Sequence, residues 1–123
     1  MKHSQLFLAR VDQARQRICE CTVDEIIQAR DKGGESFILV DVREQSEFAA
    51  GHIPGAVHLS KGVIERDIES TFPNQEARLV LYCGGGYRSA IAAESLVSMG
   101  YTNATSMDGG WRGWLEAKQP VES

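Results

Sequence analysis

The sequence predicts a single α/β domain of three layers, a mainly parallel sheet with helices on both faces. Three observations carry that prediction. Strand-like apolar runs alternate with segments of helical spacing along the whole chain, the signature of crossovers in a parallel sheet. Two of the runs, Phe37-Ile38-Leu39-Val40-Asp41-Val42 and Leu79-Val80-Leu81-Tyr82, are apolar at successive positions, as in strands covered on both sides. The second run ends in Cys83-Gly84-Gly85-Gly86-Tyr87-Arg88-Ser89 and passes into the helix-favouring residues 90–99, giving a strand, a tight loop and a helix.

The elements follow in order. Residues 1–17 set Leu6, Phe7, Ala9, Val11 and Ala14 among Arg10, Asp12, Arg15 and Arg17, which predicts a short amphipathic helix docked on its own domain. It is an N-terminal extension; residues 18–120 form the domain proper. Residues 18–21 read as a short strand. Thr22 and Glu25 then form a capping box, with Cys21 and Ile26 placed as a hydrophobic staple. That helix runs to about Lys32 and stops at Gly33-Gly34. After the strand at 37–42, Asp41 and Arg43 stand at its C-terminal end, with Asp41 able to cap a helix over 44–50.

Gly51-His52-Ile53-Pro54-Gly55-Ala56 is turn material leading into the strand Val57-His58-Leu59. Both histidines are expected as hydrogen-bonded structural residues. Residues 61–70 predict a surface helix with Val63, Ile64 and Ile68 inward, and Pro73-Asn74 a turn. Residues 78–82 form the strand before the loop. In the helix that follows, Ala93, Leu96, Val97 and Gly100 share one face, widened by Ala90, Ala92 and Met99. Residues 101–107 predict a last strand, and Asp108-Gly109-Gly110 a turn into a helix carrying Trp111, Trp114 and Leu115. The two tryptophans are expected as core anchors, the alternative being that one lines the pocket edge.

The totals bound the function. A chain of 123 residues suits one domain with one moderate core. A net charge of −4 argues against a general nucleic-acid or membrane-surface role. No apolar run approaches the roughly 20 residues that span a bilayer, and no secretory h-region opens the chain. Three cysteines, an odd number, do not make a disulfide framework, and a reducing cytoplasm is the expected location.

The chemistry concentrates at 83–89. Three glycines let the backbone fold back so that successive amides converge as an anion nest. The following helix N-terminus adds unpaired donors and the positive end of its dipole. A cysteine in that cradle ionises more readily than a free thiol, and Arg88 offers a planar cation for an oxyanion. Cys19 and Cys21 share a strand face; packing is the expected role, with a relay to Cys83 as the alternative.

These residues resemble a known family. Cys83-x-x-Gly86-x-Arg88-Ser89 is similar to the active-site loop of the rhodanese sulfurtransferases. Asp41-Val42-Arg43 with Glu47-Phe48 and Gly51-His52-Ile53-Pro54-Gly55-Ala56 is similar to the family's N-terminal signature, and Asp108-Gly109-Gly110-Trp111-x-x-Trp114 to its C-terminal one. The blocks stand in family order and span roughly residues 19 to 118. The resemblance implies a rhodanese-type three-layer domain in which Cys83 is the catalytic nucleophile. Gly84, Gly85, Gly86, Tyr87, Arg88 and Ser89 bind substrate, and Asp41 and Arg43 flank and hold the loop. It implies a small anionic donor such as thiosulfate, a cyanide or thiol acceptor, and no metal or organic cofactor. Gly84 directly after the cysteine is similar to mercaptopyruvate-using relatives, whereas Arg88-Ser89 is more like single-domain thiosulfate-type ones. Two other classes are weighed. Cysteine phosphatases and arsenate reductases place five residues between Cys and Arg, against four here, Gly84 to Tyr87. A carrier or regulatory module would dock a protein sulfur acceptor.

Overall fold

The computed structural model describes residues 2–33 and 36–123. The chain runs α1 (Gln5–Arg15), β1 (Cys19–Thr22), α2 (Val23–Lys32), β2 (Ile38–Asp41), α3 (Gln45–Ala50), β3 (Val57–His58), α4 (Ile64–Thr71), β4 (Leu79–Tyr82), α5 (Tyr87–Ser98), β5 (Ala104–Asp108) and α6 (Gly110–Glu116). The five strands form one parallel sheet in the order β1-β5-β4-β2-β3. The α/β three-layer expectation therefore holds.

Side-chain alternation along β4 divides the core in two. Leu79 and Leu81 join Val40, Ile64, Ile68, Ala93 and Leu96 on one face, under α4 and α5. Val80 and Tyr82 join Val23, Ile26, Leu39, Met107 and Trp114 on the other, under α2 and α6. The alternation continues through the strand end, and Cys83 belongs to the α5 side.

Several local expectations are met. The Thr22–Glu25 capping box starts α2, and Gly33 ends it in the left-handed region at φ 63°; Gly34, expected to share that stop, lies outside the described residues. Cys21 packs against the cluster containing Ile26. Ile64 and Ile68 of α4 are buried.

Other expectations are corrected. Helix α3 is opened by Glu44, whose side chain pairs reciprocally with Glu47 in a capping box, and not by Asp41, whose carboxylate is taken by Arg43. Helix α1 buries Val11 and Ala14 and exposes Leu6, because its inward stripe follows Phe7, Val11 and Ala14 at spacings of four and three. Helix α5 starts three residues earlier than its apolar stretch, at Tyr87, because Gly86 turns the chain at φ 103° and already serves as its N-cap. Met99 is exposed, since the helix ends at Ser98. No helix among the described residues is long and apolar enough to cross a membrane.

Candidate active site

Strand β4 lies between β5 and β2, so the loop leaving it is held from both sides. The loop is also braced from behind by the β5–α6 turn. The amides of Gly109, Trp111 and Arg112 donate to the carbonyls of Gly85, Cys83 and Gly84, at 3.3, 2.7 and 3.0 Å. Gly110 makes this approach feasible. It sits at φ 50°, and a Cβ there would collide with the Cys83 carbonyl. Gly86 packs tightly, though less closely, on Asp108, with a would-be Cβ 3.2 Å from its Cα.

With its carbonyls turned backward, the loop points its amides at the sulfur. Gly86 N–H donates to Cys83 Sγ at 3.2 Å and Ser89 N–H at 3.4 Å. Ser89 Oγ lies 3.6 Å from Sγ. It is held there by Ser106 Oγ at 2.8 Å, both serines being fully buried. Burial opposes ionisation of Cys83, but the Ser89 amide and hydroxyl and the Gly86 and Gly85 amides outweigh it, and the thiol pKa falls below its ordinary value. A thiol whose ionised form is held by such donors can lose its proton without a neighbouring base. Accordingly His52 and His58 are occupied elsewhere. His52 bonds Phe48 O at 2.9 Å and Glu122 Oε1 at 3.1 Å, and His58 bonds Arg43 O at 2.8 Å.

Cys83 lies at a cavity of about 600 Å³ lined by Gly84, Gly85, Tyr87, Arg88 and Glu47, with His3, Phe7, Trp111 and Arg112 completing the wall. Of the expected loop residues, Gly86 and Ser89 face the sulfur from within the packed cradle, and the others reach the cavity. Arg88 is engaged: its guanidinium forms a two-pronged pair with Glu47 at 2.9 and 3.2 Å. That hydrogen bond pulls the Glu47 carboxyl down to about 2. Asp41 and Arg43 are buried side by side, with Arg43 Nη2 at 2.8 Å from Asp41 Oδ2 and at 2.7 Å from the Gly51 carbonyl. Neither lines the cavity. Arg43 does stack on the Trp111 ring at 4.7 Å, so the pair reaches the site through that wall. The tryptophans divide: Trp114 is a core anchor with its indole N–H on the Pro120 carbonyl at 2.7 Å, and Trp111 lines the cavity.

Cys19 is exposed, against the packing expected of it, because it sits at the start of the edge strand β1. Cys21 packs half-buried, and neither cysteine lines the cavity of Cys83. The residues that sequence reasoning missed are Ser106, Glu47 as the partner of Arg88, Arg112, and the wall from His3 and Phe7. Only Glu47 and Arg112 fell within recognised blocks, and nothing in their spacing marks their contacts.

The sequence model of the Rhodanese-like domain family matches residues 22–117. The chain belongs to that family. It is 37% identical over 89 residues to the thiosulfate sulfurtransferase GlpE of Pseudomonas putida, covering 72% of this chain and 78% of the relative. Among solved structures, the human single-domain sulfurtransferase TSTD1 superposes with a TM-score of 0.69 at 30% identity, over 79% of this chain and 95% of that one. A Rhodopseudomonas palustris protein of unknown function, described as a possible tyrosine phosphatase, superposes with a TM-score of 0.87 at 28% identity. It covers 99% of this chain, and 98% of its own length is matched.

Proposed function

We propose that this rhodanese-family protein is a thiosulfate sulfurtransferase-type enzyme that carries sulfane sulfur on Cys83. The observation that carries the reading is the buried sulfur facing the amides of Gly86 and Ser89 with its pKa lowered. Cys83 thiolate attacks the outer sulfur of thiosulfate. The donor's S–S bond breaks, its electron pair leaves with sulfite, and a persulfide anion remains on Cys83. The loop amides are already oriented toward that charge and need no reorganisation, which is how preorganised donors stabilise transition states. An acceptor, cyanide or a thiol, then takes the terminal sulfur, completing a double displacement through a covalent intermediate.

Gly84, Gly85 and Tyr87 shape the donor's seat, and Arg88, fixed by Glu47, supplies positive potential beside the sulfur. Asp41 and Arg43 support the wall. No metal or organic cofactor enters the scheme, and a reducing cytoplasm suits the free thiolate. The test is the intact mass of the reduced protein before and after thiosulfate, with Cys83→Ser alongside. One added sulfur on the wild type, absent from the variant, is expected. Hydrolysis of an aryl phosphate or reduction of arsenate without sulfur uptake would replace this reading with the oxyanion class suggested by the R. palustris neighbour's description. Sulfur uptake that turns over only with a protein acceptor would favour the carrier module.

A further inference from the structure

The cavity at Cys83 is larger than its proposed donor requires. Its volume of about 600 Å³ lies in the roughly 300–1,000 Å³ range of sites that enclose organic ligands, and thiosulfate fills only a fraction of it. The walls beyond the loop come from two other elements. His3 and Phe7 belong to the N-terminal extension, outside the residues that the family model matches, and Trp111 and Arg112 to α6.

The extension is built into the site. Val11 and Ala14 pack with Ala90 and Ile91 of α5, and Arg10 Nη2 reaches Glu94 Oε1 at 2.6 Å. Toward the N-terminus, the His3 ring stands edge-on to Tyr87 at 4.5 Å, and the Phe7 ring edge-on to the same tyrosine at 6.4 Å. Such arrangements leave ring faces and edges for a further apolar group. The charges on the wall are unequal. Glu47 offsets part of the charge of Arg88, whereas Arg112 is exposed, lies against Gly85, and forms no salt bridge among the described residues.

We propose that these walls form an acceptor subsite for an organic thiol with an aromatic or similarly apolar body and a carboxylate. The body rests among His3, Phe7, Tyr87 and Trp111, and the carboxylate pairs with Arg112. The inference rests on the persulfide reading. The acceptor thiolate attacks the terminal sulfur of the Cys83 persulfide. A new S–S bond forms on the acceptor, the bond to Cys83 Sγ breaks, and its electron pair stays on Cys83 as thiolate. The terminal sulfur leaves as the acceptor's persulfide anion, with two negative charges before and after the step, so atoms and charge balance with no outside oxidant or reductant.

The experiment measures thiosulfate-driven turnover with four acceptors: 4-(mercaptomethyl)benzoate, benzyl mercaptan, 3-mercaptopropionate and cyanide, with the thiols compared at equal thiolate concentration. Wild type is expected to show the highest kcat/KM among the thiols for 4-(mercaptomethyl)benzoate, by about tenfold over each thiol with one feature only, equivalent to about 1.4 kcal/mol. Arg112→Gln should erase its advantage over benzyl mercaptan, and Phe7→Ala its advantage over 3-mercaptopropionate. His3→Ala repeats the ring test at a half-buried residue near the chain start, and thermal melts check that each variant folds. Equal kcat/KM for the three thiols in wild type overturns the proposal. So does a fall of the same factor for all four acceptors in the variants, which would make these residues supports of Cys83. Persulfide formation from thiosulfate alone, read by mass, separates the two layers. Its absence in wild type overturns the mechanism and the subsite together; its presence without discrimination overturns the subsite alone.

Discussion

Cys21 and Cys83 stand near the C-terminal ends of two parallel strands of one sheet, yet their thiols move in opposite directions. Burial raises both. At Cys21 the carboxylates of Glu25 and Glu20 add to it and outweigh Arg78, so the pKa is pushed up to about 11. At Cys83 the donors of Ser89, Gly86 and Gly85 reverse it, although the residue is more deeply enclosed. The lesson is that the direction of a buried thiol's titration is set by which groups face the sulfur. The cradle supplies N–H and O–H; the capping box that starts α2 places a carboxylate there instead.

Four experiments would break or sharpen that contrast. The largest effect is expected from Cys83→Ser, which should reduce sulfur transfer to background, while Cys21→Ser keeps turnover within about twofold, as packing cysteines behave as small hydrophobes. Lost turnover in a stable Cys21→Ser protein would restore the relay to Cys83.

Next come two glycines with the same left-handed backbone. Gly33 has open space where a Cβ would sit, and Gly110 has the Cys83 carbonyl. Gly110→Ala should lose about 2 kcal/mol or more and most activity, by combined strain and overpacking. Gly33→Ala should lose about 1 kcal/mol and no activity. Urea midpoints with kcat/KM on both variants decide it; equal losses would mean that the brace behind the loop is not specific.

The third measurement is the pH profile of alkylation. Cys83 should react with an inflection below the ordinary thiol value and Cys21 with one near 11. Ser106→Ala should move the Cys83 inflection up by about one unit or less, the worth of one hydrogen bond. An unmoved inflection would remove Ser106 from the site.

The smallest effect concerns Glu47. Its carboxyl titrates at about 2, below its unfolded value, so the contribution of its pair with Arg88 is complete above the ordinary carboxylate range and is lost only as pH falls through about 2. On the proposed mechanism the acid limb of activity is therefore expected to come from Cys83. Glu47→Gln should leave that limb in place and lower the KM for thiosulfate a few-fold by releasing Arg88. A raised KM would show that Glu47 instead orients Arg88 for the donor.

Much of this was legible in the sequence, for physical reasons. Strands buried on both faces show as unbroken apolar runs, which located β2 and β4. The glycine cluster after Leu79-Val80-Leu81-Tyr82 announced a backbone cradle, because few other structures require three flexible residues there. Thr22 and Glu25 announced a helix start because both partners of a capping box are local. The rest depended on contacts between distant positions. Ser106 meets Ser89 only because β5 is placed beside β4. Arg88 meets Glu47 across 41 positions. Asp41 looked like a helix cap because its spacing permits one, but Arg43, two residues on, competes for the same oxygens and wins with three donors, its own N–H, Nε and Nη2.

The brace between the Cys83 loop and α6 has a consequence for delivery. Three backbone hydrogen bonds join the loop carbonyls to α6 and its preceding turn, and the strand beneath is paired on both edges. Amides held this way exchange with solvent only when large parts of a domain open together. Cys83 is therefore held on a loop braced on several sides, and a sulfur carried there would not travel on a swinging arm. On the proposed mechanism, an acceptor must therefore come to Cys83, through the cavity walled by Phe7 of α1 and Trp111 and Arg112 of α6, and the shape of that doorway, more than any motion of the cysteine, would govern who is served.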